Sequence, residues 1–220
     1  MLKRVGKMMV ALALVGAAPV AAAPDWPDTF LRRIEALALI ETLNADLLAS
    51  DSATQTLQNW CAAHHLAGEA TIHAHLERTG EKPLDPAERQ RLEIGPEEPV
   101  IYRRVELTCG DHILSRADNW YVPSRLTAAM NKSLTTTDTP FGRAIKDLKP
   151  HRRTFSVAML WHPLPEGWEN APPQDRPQAA LAIPPVLFEH RAIVYAGDGK
   201  PVSEVDESYA RDLLDFRLAR

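Results

Sequence analysis

The chain has 220 residues, 45% hydrophobic and 25% charged with only 10 glycines, which suits one ordinary globular domain and excludes a disordered, collagenous or disulfide-dense chain. Its net charge of −4 supplies no basic field for a polyphosphate backbone, so nucleic acid is not an expected partner. Cys61 and Cys109 are the only cysteines, which allows one internal bridge and no thiolate zinc cage.

Lys3, Arg4 and Lys7 precede an apolar run over 8–18 and the small residues at 20–23. That run is too short for the roughly 20 residues a helix needs to cross a bilayer. The pattern predicts a secretory signal over residues 1–22, cut after Ala22 because Pro24 disfavours a later cut. An uncleaved anchor is the alternative. Removal takes the net charge from −4 to −7 and leaves 23–220 as a single domain, periplasmic or secreted, with no stable membrane span. Under oxidising conditions Cys61 and Cys109 can form a bridge if their geometry allows; two buried thiols packing as small hydrophobes is the other reading.

After the signal, Phe30, Leu31, Ile34, Leu37, Ile40, Leu43 and Leu47 repeat at helical spacing, with Asp28 expected to cap the helix. A second helix is expected over 53–63. The period then changes to two: Ala70, Ile72, Ala74 and Leu76 alternate with polar residues, as in a half-buried strand. A charged, proline-bearing stretch leads to a hairpin with strands over 100–108 and 113–122 about a Gly110-Asp111 turn. Short helices are expected over 126–134 and 141–148, a strand over 154–161, an irregular loop over 162–185, and a closing hairpin over 186–195 and 202–209. Helices followed by antiparallel strands define an α+β class, an antiparallel sheet with helices packed on one face.

His73 and His75 share one strand face beside His64-His65, but neither HExxH nor another recurrent zinc spacing is present; a solvent-facing polar face is the plainer reading. No GxSxG and no phosphate-cradling glycine loop occurs. Arg103-Arg104 carries more information. Neighbours on a strand face opposite ways, so one guanidinium points inward and needs either a fixed carboxylate or a carboxylate ligand. Glu204, Asp206 and Glu207 on the last strand cannot all face solvent.

Several strings resemble the chorismate lyase family in order and near-constant spacing. They are Leu47 to Thr54, Tyr102 to Cys109 continuing to Val122-Pro123, Thr139-Pro140-Phe141-Gly142-Arg143, Arg153-Thr154-Phe155, and Gly199-Lys200-Pro201 followed by Glu207-Ser208-Tyr209. The likeness spans about residues 30 to 209. It implies a fold shared with the ligand-binding domains of GntR-type regulators, and a flap-covered internal site. It also implies elimination of pyruvate from chorismate to leave 4-hydroxybenzoate. Arg104 matches the arginine that grips a carboxylate, and Glu207 the acid at the ring hydroxyl, with Asp206 in its place if no residue is inserted after Pro201. Ala53 and Phe141 match positions whose backbones contact the ligand. The implied partner is a small aromatic or cyclohexadiene carboxylate, and no metal or other cofactor is called for. A non-catalytic periplasmic binding module is the alternative, and an interaction domain using the proline-rich loop a third. No winged-helix pattern precedes residue 30, so DNA-linked regulation is not expected.

Overall fold

The computed structural model describes residues 26–77 and 80–216. The signal expected over residues 1–22 lies outside the described residues.

A short strand β1 (Pro27–Asp28) leads into helix α1 (Phe30–Ala49). Thr29, not Asp28, caps it: the Thr29 hydroxyl accepts from the Arg32 N–H at 3.3 Å. Asp28 is instead buried between Arg33 and Arg176. α1 buries Ala36, Ile40, Leu43 and Leu47, one stripe at three- and four-residue steps. Helix α2 (Ala53–His64) follows, its first turn capped by Ser52 Oγ accepting from Gln55 N–H at 3.2 Å.

Strand β2 (Ile72–Glu77) is succeeded by a helix that the prolines hid, α3 (Pro86–Arg91). Its signature was present: Asp85 and Glu88 form a reciprocal capping box, with Pro86 at the first helical position. Strands β3 (Ile101–Cys109) and β4 (His112–Tyr121) form the expected hairpin. Gly110 turns it at φ +55°, where a Cβ would also stand 2.9 Å from that of Ala67. Helices α4 (Ala128–Thr136) and α5 (Phe141–Ala144) lead to strand β5 (His151–Met159).

The expected irregular loop contains strand β6 (Arg176–Ala180), which pairs with β1 in a separate two-stranded sheet. Strands β7 (Val186–Tyr195) and β8 (Pro201–Ala210) close the fold. The main sheet is antiparallel, in the order β2-β3-β4-β8-β7-β5. The α+β class and antiparallel sheet thus stand as read.

The inner face of the sheet presents Val105, Leu107, Ala117, Ala192, Val205 and Tyr209 to the buried stripes of α1 and α2. A smaller cluster gathers Met130, Leu134 and Ile145 around Tyr121 and Val194. α3 departs from the expectation that helices cover one face only. Arg91 reaches Glu204 on the outer face through two bonds, at 3.0 and 2.7 Å, and the Trp120 indole donates to Lys82 O at 2.7 Å.

Cys61 and Cys109 form a disulfide across 48 positions, their Cα atoms 6.5 Å apart, which joins α2 to the end of β3. In chain-entropy terms such a loop contributes about 4 kcal/mol. Among the described residues no helix is long and apolar enough to cross a membrane.

Candidate functional site

Between the inner face of the sheet and the N-terminus of α2 lies a cavity of about 60 Å³. At ~10–15 Å³ per water this holds roughly four to six waters, or about 120–180 Å³ of liquid, in the range of one small ring. β3 contributes Arg103, Val105 and Leu107; β4 contributes Ala117 and Asn119; β8 contributes Val205 and Glu207. Arg152 enters from β5, and residues 51–54 and Phe141-Gly142 close the other side.

The site is set by strand register. Arg103 stands opposite Asn119, and Arg104 opposite Asp118. The alternation that points Arg103, Val105 and Leu107 inward sends Arg104 outward, where it donates to Glu77 at 2.7 Å and sits 3.4 Å from Asp118. The expected convergence of Arg104 with Glu207 is therefore corrected: the two lie on opposite faces, and Arg103 is the arginine in the cavity. The same logic separates the candidate acids. Asp206, opposite Asp118, lies on the outer face, whereas Glu207, opposite Ala117 and His190, lines the cavity. Ala53 and Phe141 also line it, Ala53 as the first residue of α2 and Phe141 as the first of α5.

Arg103 is 4% exposed and has no acidic partner among the described residues. One amino group donates to Thr139 O at 3.1 Å, while Nε and Nη1 are buried without a hydrogen bond. Burial pushes this guanidinium down from its usual range and the nearby Tyr121 phenol offsets only part of that, but an arginine remains cationic. The Tyr121 hydroxyl is itself buried and unpartnered.

Arg152, by contrast, donates to Glu207 Oε2 at 2.5 Å and to Thr154 Oγ1 at 2.6 Å, leaving Nε without a bond. Burial opposes its charge; the Glu207 carboxylate and Tyr209 outweigh that and hold it above its usual range. Tyr209 donates to the same Oε2 at 3.0 Å, so Glu207 Oε1 is the oxygen these two bonds leave over. Burial, and then Glu207, push the Tyr209 phenol far up, so it stays a donor. Behind this pair His190 is fully buried, 2.9 Å from Asn44 Oδ1; burial and the Arg152 charge bring it down to about 4, neutral at pH 7.

The α2 N-terminus adds a partial positive charge and first-turn N–H groups at the cavity wall. The arrangement can hold one anionic group against Arg103 and α2, and a hydrogen-bond donor against Glu207 Oε1. Arg103 and Arg152 were missed in their roles for different reasons. Which of two adjacent arginines faces inward needs a register; Arg152 lay before the expected start of its strand, although carrying the alternation back from Thr154 would have found it. The histidines do not gather: His73 pairs with Asp138 at 2.8 Å, and no cluster among the described residues could hold a metal ion.

No family model matches the sequence. The uncharacterized protein y4mC of Sinorhizobium fredii is 49% identical over 195 residues, spanning 87% of this chain and 82% of that protein. The chain belongs to the same family as y4mC. Among solved structures, PhnF from Mycobacterium smegmatis is similar at a TM-score of 0.47 and 14% identity over 78% of this chain and 68% of that one. The effector domain of PhnF gives 0.45 and 16% over 74% and 90%. The possible transcriptional regulator YydK from Bacillus subtilis gives 0.41 and 15% over 68% of this chain, which spans 63% of YydK. These are likenesses of outline.

Proposed function

We propose that this chain is an exported protein that binds a small aromatic or cyclohexadiene carboxylate in the inner cavity. The observation that carries this reading is Arg103, a guanidinium with two buried nitrogens unbonded and, among the described residues, no acid paired with it. A buried charge without a partner is costly, and an arriving carboxylate relieves that cost through the planar fork. Val105, Leu107, Val194, Val205 and Phe141 supply apolar walls for a ring, and Glu207 Oε1 accepts from a hydroxyl on its far side.

Elimination of pyruvate from chorismate draws on the same residues. It would use Arg103 to orient the substrate, Glu207 to hold the ring hydroxyl and the bound ring itself to displace water from the apolar walls, with aromatisation as the driving force. One observation favours binding without turnover: Arg152 is already committed to Glu207, so only one cavity guanidinium is free for a dianionic substrate. Export fits both readings. The disulfide supports a compartment where such bonds persist, and the basic n-region with its apolar run supports the route there.

Calorimetric titration with 4-hydroxybenzoate, and chromatography after incubation with chorismate, test the proposal together. Saturable binding without 4-hydroxybenzoate or pyruvate release is the expected result. Release of both products would establish the lyase, and absence of binding by every ring carboxylate tried would reject the site.

A further inference from the structure

We infer that two copies of this chain pair antiparallel through the free edge of β5, joining their main sheets across a two-fold axis. The inference is independent of what the cavity binds.

The two edges of the main sheet are built differently. β2 is six residues long and alternates with the polar His73 and His75, and its Ala74 N–H already donates to Asp138 O at 2.8 Å. β5 is nine residues long and pairs with β7 alone. Among the described residues no backbone bond reaches its far side, and Phe155, Val157 and Ala158 on it are exposed. A long, bare edge with apolar side chains is a template for another strand.

A bulge in β5 decides which strand fits. Thr154 stands opposite Ala192 and Ser156 opposite Arg191, so Phe155 is the extra residue. Phe155 faces outward, with the Arg91 and Arg191 guanidinium groups 4.9 and 5.6 Å from its ring. Ser156, opposite Arg191, faces outward too, so the alternation of side chains skips a step there. A regular extended peptide alternates without a break and can match only one half of β5. A second β5 carries the same break. With Phe155 of one copy opposite Ser156 of the other, Arg153 meets Ala158, both outward, and Thr154 meets Val157, both inward. A register one residue to either side sets outward residues against inward ones.

Charge fits the same register. Arg153 is exposed and has no hydrogen bond or ion pair among the described residues. Ala158, its counterpart in the other copy, stands opposite Glu189 on β7. Glu189 accepts from the Ser208 hydroxyl at 2.9 Å and has no cation paired with it among the described residues. Arg153 of one copy and Glu189 of the other are then two strand spacings apart, about 10 Å between backbones. The two side chains together span that distance, and the small Ala158 between them leaves the way open. The two-fold axis makes this contact twice. One strand from each copy is a small interface, so a dimer of about micromolar affinity is expected.

Sedimentation equilibrium of the purified chain over about 1–100 μM tests the inference. The mass should rise from that of one chain toward that of two. Arg153→Glu touches no partner within the chain, so its effect reads the interface; it and Glu189→Arg should each weaken association by about tenfold or more. The double variant exchanges the charges and should recover most of that loss. A chain monomeric throughout, or a dimer that neither single variant weakens, would overturn the inference. So would single variants that weaken the dimer with no recovery in the double.

Discussion

Arg103 and Arg104 are neighbours in the chain and live on opposite faces of one sheet. On the outer face Arg104 meets Glu77 and Asp118, Arg91 forks onto Glu204, and Arg191 sits between Glu88 and Glu204. Each of these three arginines is matched by an acid, and the result is a latticework that pins α3 and its flanking segment to the strands. The inner face holds one matched arginine, Arg152 with Glu207, and one that is not, Arg103. Side chains of one kind thus serve structure where the fold supplies an acid for each, and point to a ligand where it does not.

Breaking the inner pair should have the largest effect. Glu207→Ala leaves Arg152 buried and uncompensated and should lower unfolding free energy by about 3–5 kcal/mol in a urea titration. A loss below about 1 kcal/mol would mean the pair is wetter than its burial implies.

Acid should act on the same region through His190. Its folded value of about 4 lies below the ordinary 6.5, so the unfolded chain takes up the proton first. Stability should be full above about pH 6.5 and fall as pH drops toward 4, by up to about 3 kcal/mol from this residue. His190→Gln should flatten that part of the profile in denaturant titrations between pH 4 and 7. An unchanged slope would assign the acid loss to carboxylates.

The outer face should yield least. Arg104→Ala removes partly exposed contacts and should cost about 1 kcal/mol or less. Thermal unfolding checks this, and a loss comparable with that of Glu207→Ala would erase the distinction between the two faces.

How far the sequence reached follows the same division. The period-two runs and the Gly110 turn gave the sheet its hairpins, because one face of each strand is apolar enough to show. α3 was hidden by Pro83, Pro86, Pro96 and Pro99, although Asp85 and Glu88 spelled its cap. β6 was hidden because all five of its residues are exposed, so no apolar alternation marks it. Within the site, Ala53, Phe141 and Glu207 were named and do line one cavity. Arg103 and Arg104 were indistinguishable by composition, and only the pairing of β3 with β4 decides between them. Arg152 needed the pairing of β5 with β7 to be seen as part of a strand at that position.

The most direct measurement is a parallel calorimetric titration of Arg103→Met and Arg104→Met with 4-hydroxybenzoate, with urea stability recorded alongside. Arg103→Met should lose binding by about 100-fold or more and gain roughly 1–3 kcal/mol of stability, since an apolar side chain of similar length removes an unpaired buried charge. Arg104→Met should bind as the wild type does. Retained affinity in Arg103→Met, or its loss in Arg104→Met alone, would contradict the assignment of the cavity to an anionic ligand held by Arg103.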